Sequence, residues 1–248
     1  MTTDVIILSN CVDRDYFAVN AKCISSLIPS ENNFDFNILI IESNAKFYDS
    51  GFSYQFPNVK IIIPNEPFNF NRFLNIGLKE TTNDWIVFAN NDLIFHGGWL
   101  SEIFKVKEQR NDIQSFCPFD RNSKYLRWEK FNTRSYHVGY RVPVEFVGWC
   151  YLTERTVFSK TGNFDEQFDL YFQDNDFALT LKKHGVVHAM VPRSFVEHIG
   201  GFTTKQVDPS GTSKYADDKA KFIRKWGSPS PMSKLLSYIK RSMQVYAG

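Results

Sequence analysis

Asn83-Asp84-Trp85-Ile86-Val87-Phe88-Ala89-Asn90-Asn91-Asp92-Leu93-Ile94-Phe95 decides the fold. Trp85 to Ala89 carries no charge, and all but the last are β-branched or aromatic. Such a run predicts a strand buried on both faces, in the middle of an α/β sheet. It stops at Asn90-Asn91-Asp92, three short polar side chains placed where the strand emerges. In open α/β sheets the ligand crevice lies beyond the carboxyl ends of the strands. A carboxylate flanked by amides there is a hard-oxygen site suited to Mg²⁺ or Mn²⁺ carrying a diphosphate. The same three residues also suit a plain turn.

Upstream, the pattern repeats. Val5-Ile6-Ile7-Leu8 ends in Ser9-Asn10, and Asn37-Ile38-Leu39-Ile40-Ile41 ends in Glu42-Ser43-Asn44. Val59-Lys60-Ile61-Ile62-Ile63 is a third strand, closed by Pro64. Helical spacing fills the gaps: residues 16–28 before Pro29, and residues 69–79 with Phe70, Phe73, Leu74 and Leu78 on one face. Strand alternating with helix predicts a parallel sheet with crossover helices. If the strands are parallel, their three polar termini converge on one edge and outline a binding cleft.

Downstream, a helix is expected from Trp99 to about Lys107, and short strands over 113–118 and 144–152. A helix over 154–160 follows, then one started by Asp174 or Asn175 and ended at Gly185. Strands 186–191 and 194–197 lead to His198. Residues 120–145 interleave Arg121, Lys124, Arg127, Lys130, Arg134 and Arg141 with Tyr125, Trp128, Phe131, Tyr136 and Tyr140. That pattern either clamps phosphates and stacks rings or forms a solvated, twisted hairpin. Residues 212–248 hold eight Lys and Arg against two Asp. They predict helices over 214–226 and 233–246, as a basic extension that touches an anionic membrane or nucleic acid or is simply solvated. The domain reading is therefore 1–211, with a nucleotide-binding half to about 95 and an acceptor half after it, then 212–248.

Composition sets outer bounds. The chain has 248 residues, 43% hydrophobic and 23% charged, as expected of a globular protein with a sizeable core. A net charge of +2 does not by itself imply a polyanionic partner. Cys11, Cys23, Cys117 and Cys150 have no CxxC spacing, so reduced thiols are expected rather than a zinc site or a disulfide framework. Neither a signal-peptide pattern nor a run of about 20 apolar residues occurs. The expected location is cytoplasmic, or peripheral to a membrane.

Four segments together resemble the family 2-type nucleotide-sugar glycosyltransferases of GT-A fold, over about residues 4–202. They are residues 5–10; residues 38–44; Asn75-Ile76-Gly77 with Asp84 to Asp92; and Gly148-Trp149-Cys150 through Gly162-Asn163-Phe164-Asp165-Glu166 and Tyr171-Phe172-Gln173-Asp174-Asn175-Asp176 to Gly185. Asn90 stands where the family's acidic motif often has its first acid, and Gln173 replaces the usual Glu before Asp174.

The resemblance implies an α/β Rossmann-like mixed sheet flanked by helices, and an inverting, metal-dependent sugar transfer from a nucleoside diphosphate. Asp92 is the expected principal ligand of Mn²⁺ or Mg²⁺, joined by His198. Asp174 is the expected general base, with Asp176 as the second choice. Ser9, Asn10, Glu42, Asn44, Arg72, Asn75, Asn90, Asn91 and Trp149 are the expected donor contacts. The expected acceptor is a glycan or lipid-linked saccharide. A hydroxylated DNA base is the alternative suggested by residues 120–145 and the basic tail. A non-catalytic sugar- or glycan-binding domain is the alternative suggested by Asn90 and Gln173.

Overall fold

The computed structural model describes residues 1–47, 49, 51–56, 58–123, 126–200 and 213–228. The elements in chain order are β1 (Thr2–Ser9), α1 (Arg14–Leu27), β2 (Asp35–Glu42), β3 (Val59–Ile62), α2 (Phe70–Glu80), β4 (Trp85–Asn90) and β5 (Leu93–Phe95). Then come α3 (Trp99–Gln109), β6 (Ile113–Phe119), α4 (Trp128–Phe131), β7 (His137–Val138) and β8 (Cys150–Glu154). Last are α5 (Thr156–Thr161), α6 (Gln173–Lys183), β9 (Val187–His198) and α7 (Ser213–Trp226).

One mixed sheet runs β3-β2-β1-β4-β8-β6-β9-β5, with β7 paired to β9. The first four strands are parallel, and β8 enters antiparallel between β4 and β6. β6 therefore points the same way as β4, and β9 runs parallel to β6. The expected parallel sheet holds for the first half of the chain, and the second half makes it mixed.

The period of two along each strand divides the core. Val5 and Ile7 of β1 join Trp85, Val87 and Ala89 of β4 on the face covered by α1 and α3. Ile6, Leu8, Ile86 and Phe88 face the other side, under α2, α5 and α6. Burying both faces explains why β4 reads as a continuous apolar run rather than an alternating one. Each large apolar side chain so buried stabilises the fold by about 1.5–3 kcal/mol. Gly77 sits where α2 crosses β1, and a Cβ there would come within 2.7 Å of the Ile6 side chain. Helix ends follow the expected chemistry: Asp13 caps α1 through the N–H groups of Asp15 and Tyr16, and Asn69 caps α2 through that of Arg72.

Four local expectations are corrected. The strand placed over 144–152 begins only at Cys150, because the Arg141 carbonyl accepts the N–H groups of Val144, Glu145 and Phe146 and closes a turn there. It runs on through Glu154, so α5 starts at Thr156 rather than at the expected residue 154. The two strands expected on either side of Pro192 are one, β9. Its register against β6 shifts between Cys117 and Phe119, in the stretch that contains Pro192 and where no regular ladder donor is required. Among the described residues of 120–145 the elements are α4 and the two-residue β7, which pairs with β9 rather than closing a hairpin. The helix expected over 233–246 lies outside the described residues.

Candidate active site

Parallel pairing brings the polar strand ends together. Ser9 is registered with Glu42 and Leu8 with Asn90, so β1, β2 and β4 release their polar residues at one edge. β6 ends at the same edge with Asp120. Directly after β4, Asn91-Asp92 turns the chain into β5, which pairs antiparallel with the end of β9. Leu93 is opposite His198, and the Ile199 N–H donates to the Asp92 carbonyl at 3.0 Å. The sheet itself therefore sets His198 beside Asp92.

Asp92 is only 4% exposed. Among the described residues no hydrogen-bond partner reaches its Oδ1, and His198 Nε2 lies 3.3 Å from that atom. A buried carboxylate oxygen without a hydrogen-bond donor is costly unless a cation completes it. One such oxygen and one imidazole nitrogen fit a divalent cation that takes its other ligands from phosphate oxygens and water. The imidazole favours Mn²⁺ over Mg²⁺. Among the described residues no third acid, His or Cys joins the pair.

Trp149 packs its ring on His198, with centroids 5.3 Å apart and planes 20° from parallel. Its carbonyl accepts the Asn90 N–H at 2.8 Å. The preceding residue, Gly148, faces Asp174: a Cβ on Gly148 would lie 2.6 Å from the Asp174 Cβ. The glycine thus makes room for a carboxylate of this chain. Two consecutive residues link the Asp92–His198 pair to Asp174.

Asp174 is not the cap of α6. The cap position belongs to Phe172, which has φ +61° and no capping side chain, and Asp174 lies in the first turn. Burial pushes the Asp174 carboxyl up, against the N–H of Asn175 at 2.7 Å, which holds it down. The helix N-terminus predicts the opposite direction, and desolvation outweighs it. Asp176 is engaged elsewhere: Trp226 Nε1 donates to it at 2.6 Å and Lys225 Nζ at 3.0 Å.

A buried network ties the strand ends. Asn91 donates to Asn20 at 2.6 Å, and Asn20 donates to Ser9 Oγ at 2.5 Å and to the Tyr54 hydroxyl at 2.7 Å. Ser9 in turn donates to Glu42 at 2.5 Å. Glu42 also accepts the N–H groups of Cys11 at 3.0 Å and Asn44 at 2.7 Å, while Asn44 donates to the Cys11 carbonyl at 2.6 Å. Burial raises the Glu42 carboxyl despite these donors, and lifts the Cys11 thiol to about 12.

Three expected donor contacts are otherwise employed. Glu42 is fully buried and turned inward, shaping the loop after β1. Asn75 is 3% exposed and joins α2 to the 164–166 turn through Phe164 and Glu166. Arg72 pairs with Glu166 at 3.0 Å and Glu66 at 3.4 Å beside that same turn. The motif that holds Asn75 is thus a packing joint between α2 and the Gly162-to-Glu166 turn. Ser9 and Asn91 are at the edge but inside the network. Asn10, Asn90 and Trp149 are at the edge and half-buried.

Sequence reasoning missed Asn20, Tyr54 and Asp120. Asn20 shares the apolar face of α1 with Ile24 and Leu27, an inward polar position that periodicity could have flagged. Asp120 follows β6 as Asp92 follows β4; burial raises its carboxyl, opposed by the Asn122 N–H at 2.8 Å and the His198 imidazole. A cleft of about 380 Å³ opens against Trp149 and His198, walled by Pro118, Asp120, Val147 and Met190.

Two cations of the basic-aromatic stretch are engaged within the fold, while Arg127, Lys130 and Arg134 are exposed. Arg121 lies over Phe195, 3.0 Å from the ring centroid, and near Trp128, and Arg141 is bound to Glu145. Lys124 and Tyr125 lie outside the described residues. No helix among the described residues is long and apolar enough to cross a membrane.

The sequence profile of glycosyl transferase family 2 matches residues 17–185. No curated protein sequence matches the chain. Among solved structures, that of GalNAc-T7 with UDP, GalNAc and Mn²⁺ superposes with a TM-score of 0.58 at 12% identity. The match covers 82% of this chain and 44% of that one, and at this identity it speaks for the fold.

Proposed function

The chain belongs to glycosyl transferase family 2 and has the GT-A fold, and from that premise we propose that it is a nucleotide-sugar glycosyltransferase working by inverting, divalent-metal-dependent transfer to a glycan or lipid-linked saccharide. The observation that carries this reading is the buried Asp92 Oδ1, which no hydrogen-bond donor among the described residues reaches and which faces His198 Nε2 at the carboxyl edge of the sheet. A cation held by Asp92 and His198 would neutralise the charge that gathers on the leaving diphosphate. Asn10, Asn90 and Trp149 line the edge where the donor is held. The nucleotide half is assigned to residues 1–95 and the acceptor half to residues 96–211, of which 201–211 lie outside the described residues.

Asp174 takes the proton of the attacking hydroxyl. Its burial raises its affinity for that proton, as a general base working near neutral pH requires. Gly148 and Trp149 lie between Asp174 and the Asp92–His198 pair, and inversion requires base and leaving group on opposite sides of the sugar. The acceptor approaches through the cleft beside Trp149. The GalNAc-T7 structure contains Mn²⁺ and a uridine diphosphate, in keeping with this donor class.

The test is turnover of a panel of nucleoside-diphosphate sugars with Mn²⁺, with excess chelator, and with Asp92→Ala. Release of nucleoside diphosphate should require Mn²⁺ and vanish in the variant. Full turnover in chelator would remove the metal-dependent reading.

A further inference from the structure

Helix α7 comes after every strand of the sheet, yet it is bound to the segment that carries Asp174. Asp218, in its middle, is fully buried and accepts three successive backbone N–H groups: Asp169 at 3.2 Å, Leu170 at 3.0 Å and Tyr171 at 2.9 Å. Lys221 Nζ, 3.1 Å away, balances its charge. One turn further, Lys225 joins Asp165 at 2.6 Å to Asp176 at 2.8 Å, and Trp226 Nε1 donates to Asp176. Between these anchors the Phe172 ring lies 5.3 Å from both Tyr215 and Phe222.

The held segment is an unusual one. Phe172 has a left-handed backbone conformation, which a bulky residue keeps only where its surroundings over-determine it. Helix α6 starts there with no capping side chain. Asp174, two residues on, fits against Gly148 with no room for a methyl group. The start of this path is tied to α2, where Asn69 and the Phe70 N–H donate to Asp169. The carboxylate of Asp218, the indole of Trp226 and the aromatic seat of Phe172 all come from α7.

We infer that α7 is a positioning element of the active site, with Asp218 and Trp226 holding residues 165–176 so that Asp174 stays seated against Gly148. Asp218 and Trp226 act through the backbone and through Asp176, and neither touches the reacting sugar. The inference rests on Asp174 being the base, as proposed above. The basic extension thereby acquires a role that its charge did not suggest: Lys225 neutralises Asp165 and Asp176 beside the α6 turn, and Lys221 balances the buried Asp218.

Full-length Trp226→Phe and Asp218→Asn test this, with exposed Arg224→Ala as the control. Trp226→Phe keeps the ring and deletes one donor, so it should fold even if Asp218→Asn does not. Displacements of the order of 1 Å cost about 10²-fold in rate, so kcat should fall about 10- to 100-fold in both variants. Donor affinity and the Arg224→Ala control should stay at wild-type values. Amide hydrogen exchange should quicken over 165–183 and remain slow in β1 and β4. Wild-type kcat and exchange in Trp226→Phe would overturn the inference, as would parallel loss of kcat and donor binding. If the wild type transfers no sugar at all, the functional reading has failed. Exchange then decides alone: faster exchange over 165–176 in Trp226→Phe upholds the hold of α7, and unchanged exchange refutes it.

Discussion

Gly148→Ala is the sharpest perturbation the site offers. The added methyl would lie 2.6 Å from the Asp174 Cβ, with Oδ2 at 3.2 Å and Cγ at 3.3 Å. Ordinary carbon contact begins near 3.4 Å, so Asp174 must withdraw by about 1 Å or the 148–149 backbone must yield. Overpacking of this kind costs about 1–3 kcal/mol, and a chain of this size loses about 2–4 °C in Tm per kcal/mol. The fold therefore survives at assay temperature. A catalytic group displaced by about 1 Å costs about 10²-fold in rate. The expected outcome is a Gly148→Ala protein with kcat down about 10²-fold, donor Kd unchanged by calorimetry, and Tm lower by several degrees. Gly97→Ala, where an added methyl meets nothing within 4 Å, is the control. Wild-type kcat in Gly148→Ala would refute the claim that the seat of Asp174 matters.

Asp174→Asn keeps the shape and cannot take a proton, so kcat should drop about 10²–10⁴-fold while donor binding holds. Because burial raises the Asp174 carboxyl, the acid limb of the wild-type rate profile should lie above the ordinary carboxylate range, and kcat should fall as pH drops through it. The stability sign follows from the same shift. A carboxyl raised in the folded state favours folding below its unfolded value and loses that contribution as pH rises through the folded value. Asp174→Asn should therefore be no less stable than wild type at neutral pH, as melting curves across pH would show. Glu42→Ala strands the Ser9 hydroxyl and the Cys11 and Asn44 N–H groups, and should cost about 1–3 kcal/mol in chemical denaturation.

The sheet was legible because burial on both faces writes long apolar runs, and the runs at Val5, Ile38 and Trp85 all became strands. Convergence of Ser9, Glu42 and Asn90 followed from parallel pairing and needed no side-chain information. The Asp92–His198 pair was reached through family resemblance, since their 106-residue separation is closed only by the β5–β9 pairing. What stayed hidden were choices between equally polar partners. Glu42 and Asn75 have the chemistry of ligand contacts, and nothing in sequence says that Ser9, Cys11, Phe164 or Glu166 already occupies them. Asp174 looked like a cap because Asp favours caps, whereas the packing of Phe172 against α7 starts the helix earlier. The basic tail looked detached because charge pattern does not reveal that Asp218 is buried.

The most direct measurement is Mn²⁺ binding followed by electron paramagnetic resonance, in which bound ion loses the sharp free-ion signal. With a nucleoside diphosphate present, the wild type should quench that signal, while Asp92→Ala and His198→Ala should each leave it largely intact. Undiminished quenching in an Asp92→Ala, His198→Ala double variant would contradict the assignment of the metal to these two residues.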